Sequence, residues 1–352
     1  MSDISRYLIS SSVTVLEAMS FIDVGGKGIA FVCSNDRVQA VITDGDIRRY
    51  ILHGGDLHAN VLTMANRDFK YLSESEEVSS EVLAKIKGDY KALPVLDSEG
   101  ALQSIVFADE TALRKSPDLQ IPVVIMAGGK GTRLYPYTKV LPKPLIPIGD
   151  LPITMHIIQR FGKYGCNRFM MVVNHQKELI KAYYADPEIP YDIDFADEGE
   201  PLGTAGGLKL LEGKIDSTFF LTNCDILVDA DYQKIYQHHK QAGNVITVVC
   251  AVKNITIPYG TIQLDENGQI SQMVEKPTLS HLVNTGCYLI EPEILEKIPK
   301  GAFIHMTDII QMCMDEGKSV GVYPISEEQW QDMGQIDEME KMRDKFSNLT
   351  IE

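Results

Sequence analysis

The densest group of side chains that could do chemistry follows a short apolar run over residues 121–126. The chain there reads Ala127-Gly-Gly-Lys-Gly-Thr-Arg-Leu134, and Leu141-Pro-Lys-Pro-Leu145 comes soon after it. Glycines let the backbone turn tightly and direct its N–H groups at an anion, so this pattern is typical of a loop that binds a polyphosphate. The residues that we predict to bind the phosphates are Ala127, Gly128, Gly129, Gly131 and Thr132.

Two cations accompany this loop. Arg133 offers a planar fork of donors, and Lys143 offers a point charge on a segment that its flanking prolines stiffen. The loop is not a Walker A motif, because no Gly-Lys-Ser/Thr closes it, and its glycine spacing differs from the dinucleotide fingerprint. A tight strand-to-helix turn with incidental basic residues is the alternative interpretation.

The pattern G-G-x-G-T-R-L-x-P-x-T followed by P-K-P resembles the signature of the sugar-1-phosphate nucleotidylyltransferases, and the resemblance extends over residues 121–340. It implies a Rossmann-like α/β domain of the GT-A type, built on a mixed, mainly parallel sheet. It also implies an enzyme that joins a nucleoside triphosphate to a sugar 1-phosphate, with Arg133 and Lys143 as catalytic residues that stabilise charge at the α-phosphorus.

Two aspartates match the metal-binding positions of the resembled family. Asp225 is the last residue of the segment 219–225, which begins with an apolar run over 219–222. Asp332 lies in the sequence W-Q-D-M-G. Transfer reactions at phosphorus usually employ Mg²⁺, which prefers hard oxygen ligands. We therefore expect Mg²⁺ as the cofactor, although an aspartate at the end of a strand is also common as a turn former or helix cap.

The sugar 1-phosphate is expected at an E-K-P motif and an N-x-G motif, both of which match elements of the same family. The resemblance implies that Lys276 meets the phosphate, while Glu275 and Asn284 hold sugar hydroxyls. Gly260, which precedes another predicted strand, would bring the backbone close to the sugar ring. A solvated turn is the alternative for each of these residues.

The nucleoside is expected beside a second glycine-rich segment, which contains Gly203 and Thr204 and should open a helix. Glu198 stands five residues before it. A carboxylate can accept two hydrogen bonds at once, which suits the paired N–H donors of guanine, whereas uracil or thymine would be met better by a glutamine amide. The run 198–206 is also similar to the mannose-1-phosphate guanylyltransferases, so GTP is the favoured substrate. A surface acid near a loop is the alternative for Glu198.

The elements that must position these residues alternate between strand and helix. Apolar runs at 121–126, 168–173, 218–222 and 245–252 predict buried strands. Amphipathic stretches near 152–164, 176–185 and 231–242 predict helices between them. This alternation is typical of a mainly parallel sheet that helices cover on both faces.

The first third of the chain contains a weak internal repeat. Apolar segments beginning at Gly28 and at Ala92 each lead through a polar turn into a second apolar segment, which predicts two hairpins, each followed by a helix. The segment 41–49 resembles the nucleotide-binding end of a CBS motif, and the resemblance implies that Thr43 contacts a phosphate and Asp46 takes the ribose hydroxyls. The matching part of the second copy, 107–110, lacks the serine or threonine.

These observations predict a tandem CBS pair of α+β type over 1–118, in copies of about 1–60 and 61–118, and a nucleotidyltransferase domain over 119–352. The CBS pair is expected to bind a regulatory nucleotide and to favour a homo-oligomer. A packing and dimerisation module that binds nothing is the alternative for this part of the chain.

Composition narrows the classes of function. The formal net charge of −16 argues against binding to a nucleic-acid backbone, which requires a basic face. No apolar run is long enough for a membrane helix, the first residues lack the features of a secretory signal, and the six cysteines form no C-x-x-C pair. We therefore expect a cytoplasmic protein with reduced thiols and neither a membrane nor a nucleic acid as partner.

Three other functions are compatible with parts of the pattern. A nucleotide sensor with an inactive transferase half is one, although the matched aspartates and cations argue against it. A uridylyl- or thymidylyltransferase of the same fold is another. Asp229-Ala-Asp231 imitates the D-x-D motif of a glycosyltransferase, but that class has no pyrophosphate leaving group for the glycine-rich loop to hold.

Overall fold

Two similar three-stranded sheets make up much of the N-terminal unit, Met1–Lys115. The computed structural model describes residues 4–34, 37–74, 91–107 and 118–349. In each sheet the first strand runs parallel to the second, and the second pairs antiparallel with the third. The strands are β1 (Leu8–Ser10), β2 (Ile29–Ser34), β3 (Arg37–Thr43), β4 (Leu72–Ser73), β5 (Ala92–Leu96) and β6 (Leu102–Phe107).

Each hairpin contains one register shift, or β-bulge, and the two bulges lie at corresponding positions. The register shifts between Val32 and Cys33 in β2, and between Val95 and Leu96 in β5, in both cases near the turn. The strand order, the strand directions and the bulge are thus repeated, and both predicted hairpins are present. The helix predicted after the second hairpin, together with most of the segment 107–110, lies outside the described residues.

Helices α1 (Val15–Gly25) and α2 (Asp44–Leu52) belong to the first copy, and both begin with a capping box. In α1, the Thr14 hydroxyl accepts from the backbone N–H of Glu17, whose carboxylate accepts in return from the N–H of Thr14. This exchange satisfies two backbone donors that the first turn of a helix otherwise leaves unpaired.

The second unit, Ser116–Glu352, is built on a seven-stranded sheet. In spatial order its strands are β11 (Asp192–Asp197), β10 (Arg168–Val173), β7 (Val123–Ala127), β12 (Phe219–Asn223), β17 (Thr278–Ile290), β14 (Ile246–Thr256) and β18 (Val320–Ser326). All strands run parallel except β17, which is antiparallel to both of its neighbours. The predicted mixed, mainly parallel sheet is confirmed.

Helices cover both faces of this sheet. Along β7, Val123 and Ile125 join one buried cluster, whereas Val124 joins the other, as the period of two in a strand requires. The first cluster includes the apolar sides of the helices α3 (Ile153–Gly162) and α5 (Tyr232–Ala242). The other helices are α4 (Lys177–Tyr184), α6 (Glu293–Lys297), α7 (Met306–Asp315) and α8 (Ile336–Leu349).

Among the described residues, this unit also contains three short two-stranded pairs. They are β8 (Pro147–Ile148) with β9 (Leu151–Pro152), β13 (Ile226–Val228) with β19 (Trp330–Asp332), and β15 (Thr261–Leu264) with β16 (Ile270–Val274). All six cysteines carry free thiols. Within the described ranges, we find no helix with the length and apolar character that crossing a membrane requires.

Candidate active site

The glycine-rich loop leaves the carboxyl end of the central strand β7 and folds against the Pro-Lys-Pro segment. Gly131 has the left-handed φ of 65°, and a Cβ at this position would lie 2.8 Å from Cγ2 of Thr138 and 3.1 Å from Cβ of Lys143. The Thr138 hydroxyl donates to the carbonyl of Gly131 over 2.8 Å. Glycine is therefore required here both for the backbone conformation and for the close approach of Lys143.

Lys143 forms a buried ion pair with Asp225. Their side chains are only 12% and 11% exposed, and the ammonium donates directly to the carboxylate. Burial alone would lower the pKa of Lys143, but the attraction of the Asp225 carboxylate outweighs burial and raises that pKa. Lys143 therefore keeps its positive charge and is held beside Asp225, just beyond the carboxyl end of β12.

The two aspartates predicted to bind metal lie side by side. Pairing of β13 with β19 sets Ile226 opposite Asp332, and the N–H of Met333 donates to the carbonyl of Asp225 over 2.8 Å. Burial and the neighbouring charge of Asp225 raise the pKa of Asp332. The hydrogen bond that its carboxylate accepts from the N–H of Gly334, at 2.7 Å, opposes this shift. Two carboxylates that repel each other in this way favour a cation between them.

This donor set fits Mg²⁺ bound together with a substrate. Within the described part of the chain, no cluster of three or more His, Cys, Asp or Glu side chains could enclose a metal ion. Mg²⁺ is commonly bound by one or two carboxylates, with substrate phosphates and water completing the octahedron. Asp225 and Asp332 therefore suit a metal that arrives with a phosphate.

Arg133 differs from Lys143 in its surroundings. It lies in the short 3₁₀ helix Thr132–Leu134, its side chain is exposed, and it makes no hydrogen bond or ion pair with the residues that the structure describes. Its charge nevertheless acts to lower the pKa of both Asp332 and Lys143. Arg133 is therefore close to the paired aspartates and has its guanidinium available for a ligand.

Glu198 follows the end of β11 and is the most unusual carboxyl group of the site. It is 6% exposed, and its Oε1 has no hydrogen-bond partner among the described residues. Burial raises its pKa to about 7. A Cβ on Gly128 would lie 2.8 Å from Oε2, and a Cβ on Gly207 would collide with Oε1. Both glycines are thus needed to make room for this carboxyl group.

The segment with Gly203 and Thr204 is bound to the start of α7. Gly203 has a φ of 80°, and a Cβ there would lie 2.5 Å from the carbonyl oxygen of Ile304. The Thr204 hydroxyl accepts from the N–H of Met306 over 3.1 Å and contacts His305. The predicted helix after this segment is the 3₁₀ helix Gly206–Leu211, and Gly207 of that helix lies against the Glu198 carboxyl group.

The E-K-P motif lies between β16 and β17, and the side chains of its predicted residues Glu275 and Lys276 are exposed. A Cβ on Gly260 would lie 2.8 Å from Oε2 of Glu275, so these two residues are neighbours. Lys276 adopts a φ of 46°, which is uncommon for a residue with a Cβ. Such backbone conformations are often found where a side chain must be aimed at a ligand.

The N-x-G motif forms a bulge in β17, not a solvated turn. The register of β17 against β14 jumps here, because Val249 pairs with Cys287 and Cys250 with Asn284. The Asn284 amide closes the bulge, accepting from the N–H of Gly286 at 2.9 Å and donating to the Tyr288 hydroxyl at 2.8 Å. The bulge thus directs Asn284 by bonds within its own strand.

A family model described as nucleotidyl transferase matches residues 122–348. The chain belongs to the nucleotidyl transferase family. The mannose-1-phosphate guanyltransferase of Aspergillus fumigatus is 36% identical over 184 residues, 50% of each chain. The UTP–glucose-1-phosphate uridylyltransferase of Synechocystis sp. is 31% identical over 234 residues, 60% of each chain. This nucleotidyl transferase therefore spans between a half and three fifths of the length of these curated relatives.

A solved structure shares the fold. It is a Bacillus anthracis protein assigned as a glucose-1-phosphate thymidylyltransferase, in complex with sucrose, and it is 20% identical with a TM-score of 0.51. The match covers 64% of this nucleotidyl transferase and 94% of that chain. At this identity the likeness shows the architecture of the sheet and helices and nothing about the ligand.

Sequence reasoning missed two asparagines, Asn174 and Asn223, that shape the nucleotidyl transferase site. The side chain of Asn174 donates to the carbonyl of Glu198 at 3.0 Å, and Gly207 contacts the Glu198 carboxyl group. A Cβ on Gly286 would lie 2.5 Å from Nδ2 of Asn223, which links the bulge of β17 to the end of β12. Asn174 and Asn223 lie just beyond or at the ends of parallel strands, a position that could have singled them out.

The residues predicted to bind a CBS ligand lie outside the part that matches the nucleotidyl transferase family. Thr43 and Asp46 form the capping box of α2, in which the Thr43 hydroxyl donates to the carboxylate at 2.6 Å and the Thr43 N–H donates to it at 2.9 Å. Asp46 also pairs with Arg49. The structure therefore brings the two residues together and gives each a role in starting the helix.

Proposed function

We propose that this nucleotidyl transferase joins a nucleoside triphosphate, with GTP favoured, to a sugar 1-phosphate and releases pyrophosphate. The observation that carries the proposal is the convergence of Lys143, Asp225 and Asp332 beside the glycine-rich loop. Relatives named for guanylyl and uridylyl transfer to sugar 1-phosphates support the reaction class.

The reaction needs no covalent intermediate on the protein. A phosphate oxygen of the sugar 1-phosphate attacks the α-phosphorus, and the bond from that phosphorus to the bridging oxygen breaks, so that pyrophosphate leaves with the electron pair. Cys224, beside Asp225, does not serve as a nucleophile, because burial raises the pKa of its thiol to about 12.

The chain contributes fixed positive charge and backbone donors to this step. The N–H groups of the loop, including those of Gly128, Gly129 and Gly131, would bind the triphosphate together with Ala127 and Thr132. Lys143 and Arg133 would stabilise charge on the α-phosphate and on the departing pyrophosphate. Mg²⁺ held by Asp225 and Asp332 would neutralise phosphate oxygens.

The remaining residues would hold the two substrates outside the reacting atoms. Glu198, Gly203 and Thr204 would surround the nucleoside, with the Glu198 carboxylate accepting the two N–H donors of guanine. The sugar phosphate would contact the residues Gly260, Glu275, Lys276 and Asn284. The order of the two parts of the chain also resembles the glucosamine-1-phosphate guanylyltransferases of legionaminic acid biosynthesis, so glucosamine 1-phosphate is the first sugar to test.

The N-terminal unit is proposed to be a tandem CBS pair that binds a regulatory nucleotide and mediates a homo-oligomer in the cytoplasm. The repeated sheets with the same bulge support the duplication. The position of Thr43 and Asp46 at the start of α2 is compatible with a ligand that lies over the helix N-terminus. Thermal stabilisation of the full chain by a nucleotide, and its loss in Asp46→Asn, would test this assignment.

The test of the catalytic proposal is pyrophosphate release in the presence of Mg²⁺. GTP, UTP, CTP, dTTP and ATP are each offered with mannose, glucose, glucosamine, N-acetylglucosamine and heptose 1-phosphates. We expect turnover with GTP and one preferred sugar. Turnover with UTP or dTTP alone would support the proposed reaction and contradict the proposed preference for guanine. No turnover by folded protein with any pair would favour a nucleotide sensor.

A further inference from the structure

The Glu198 carboxyl group is held in place with its hydrogen-bonding capacity unused. Its side chain is more than nine-tenths buried, and the described residues supply no partner for Oε1. The backbone of Glu198 is fixed at both ends, since its N–H donates to Val173 at 2.9 Å and its carbonyl accepts from Asn174. A buried carboxyl group without partners is costly, which indicates a ligand that completes its hydrogen bonds.

Among the described residues, no opposite charge stabilises the ionised form of this carboxyl group. The loop at Gly128, the end of β10 and the 3₁₀ helix that begins at Gly206 pack against it, presenting Val172 and glycine backbone. The titratable and charged residues on these elements and beside Glu198 are Lys130, Arg133, Arg168, His175, Asp197, Glu200 and Lys209. None of them contributes to the raised pKa of Glu198, which burial alone causes. Asp197 instead pairs with two lysines of α4.

The two protonation states of such a group match different bases. An ionised carboxylate only accepts hydrogen bonds, so it matches the adjacent N1–H and N2–H donors of guanine. A protonated carboxyl group has one O–H donor and one acceptor, so it matches the O4 acceptor and N3–H donor of uracil. Each mismatched state would leave a buried polar group unpaired, which makes the discrimination strong.

We propose that the protonation state of Glu198 selects the base: the ionised form accepts guanine nucleotides, and the protonated form accepts uracil nucleotides. The inference deepens the proposed function and rests on its placement of the base against Glu198. The single chain therefore changes its preference between two nucleoside triphosphates with pH, without any movement of its backbone.

The expected size of the effect follows from the linkage of proton and base. If each base binds one protonation state, the ratio of the Kd for UTP to the Kd for GTP rises by up to about tenfold per pH unit. Proton exchange on binding also differs in sign, because GTP binding releases a proton from Glu198 and UTP binding takes one up. The difference between the two nucleotides approaches about one proton per site near neutral pH.

Isothermal titration calorimetry of the full chain with Mg-GTP and Mg-UTP, between pH 6 and 8, tests the proposal. Titration in buffers of different ionisation enthalpy counts the protons exchanged. Contributions from the triphosphate, the metal and the catalytic residues are common to both nucleotides and cancel in the difference. Pyrophosphate release is measured separately, so that binding without turnover would refute the proposed reaction and leave the binding test intact.

The variant Glu198→Gln presents an N–H donor beside a C=O acceptor at every pH. We expect a Kd ratio that does not change with pH and no difference in proton exchange, whereas the control Glu200→Gln removes an exposed charge two residues away and behaves as wild type. A wild-type ratio that is constant between pH 6 and 8 overturns the proposal. So does a pH-dependent ratio that persists in Glu198→Gln.

Discussion

At the scale of single residues, the two predicted catalytic cations have different structural roles. Lys143 is buried and paired with Asp225, so its removal would leave an uncompensated carboxylate and reduce stability as well as activity. Arg133 is exposed and makes no ion pair within the described ranges. Only the arginine therefore permits a clean separation of catalysis from folding.

We predict that Arg133→Ala lowers the rate of nucleotidyl transfer without lowering stability. By analogy with the loss of one preorganised donor, the transition state should lose about 3–4 kcal/mol, which is a decrease in kcat of roughly 100- to 1000-fold. The Tm should remain within the small range typical of exposed substitutions. Pyrophosphate release and thermal denaturation measure the two quantities.

Arg168→Ala is the matched control, since Arg168 is also exposed and lies at the start of β10, away from the carboxyl ends of the strands. It should retain wild-type turnover. A large fall in Tm in Arg133→Ala, or equal loss of activity in both variants, would contradict the role assigned to Arg133.

Gly207 offers a second prediction at this scale. A Cβ at this position would collide with Oε1 of Glu198 and would lie 2.7 Å from Cγ1 of Val172. Gly207→Ala should therefore displace the Glu198 carboxyl group and weaken nucleotide binding, with overpacking that costs about 1–3 kcal/mol. Gly199→Ala, where a Cβ meets nothing within 4 Å, should leave the Kd unchanged. Calorimetric titration with Mg-GTP compares the two variants, and equal affinities would contradict the packing described for Glu198.

At the scale of elements, a buried polar network lies at the end of the sheet opposite the candidate site. There β12 and β14 begin and β17 ends. His239 of α5 is fully buried, with Nδ1 at 2.8 Å from the Thr247 hydroxyl and Nε2 at 3.1 Å from Glu291. Lys240 also binds Glu291, at 2.6 Å. The network connects one helix with two strands far from the catalytic edge.

This network should make the fold sensitive to acid. Burial lowers the pKa of His239, although Glu291 opposes the shift, so the folded state binds this proton less readily than the unfolded state. The contribution of neutral His239 is therefore fully present above its unfolded pKa and is lost as the pH falls towards its folded pKa. Urea denaturation between pH 7.5 and 5 should show the free energy of unfolding of wild type falling relative to His239→Gln. A constant difference between the two proteins would contradict this account.

The strands of the catalytic half could be predicted where burial makes them continuously apolar. The run 168–173 coincides with β10, which lies between two parallel neighbours and is covered on both faces. The edge strand β11, Asp192–Asp197, alternates acidic and apolar residues and was not predicted from an apolar run. The antiparallel strand β17 was also missed, because its first half is largely exposed and its register depends on a bulge that no local pattern reveals.

The motifs in the sequence predict which residues form the candidate site, but they do not predict how those residues are arranged in space. Asp225 and Asp332 were matched one at a time, and their proximity depends on pairing between β13 and β19, which the sequence does not show. The isolation of Glu198 is likewise a property of packing, since it depends on Gly128 and Gly207 from two separate segments. Hydrogen-bond partners such as Asn174 follow from the same long-range contacts.

At the scale of the whole molecule, the second unit contains a complete core and all the residues of the candidate catalytic site. The buried clusters on both faces of the seven-stranded sheet consist of residues from Ile121 onwards. We therefore predict that a fragment of residues 119–352 folds and retains nucleotidyl transfer with the base preference of the full chain. Circular dichroism and pyrophosphate release measure folding and activity. An unfolded fragment would show that the first unit is needed for the fold, and an inactive folded fragment would show that it is needed for the reaction.

The pairing of β13 with β19 also has a consequence for the order of events during translation. The ribosome releases the chain from its N-terminus, so the sheet from β7 to β17 can begin to form while Asp332 is still unsynthesised. Until β19 emerges and pairs with β13, Asp225 has Lys143 as its neighbour but lacks Asp332 beside it. The nascent polypeptide therefore brings these two carboxylates together only after the glycine-rich loop and most strands of the seven-stranded sheet have been synthesised.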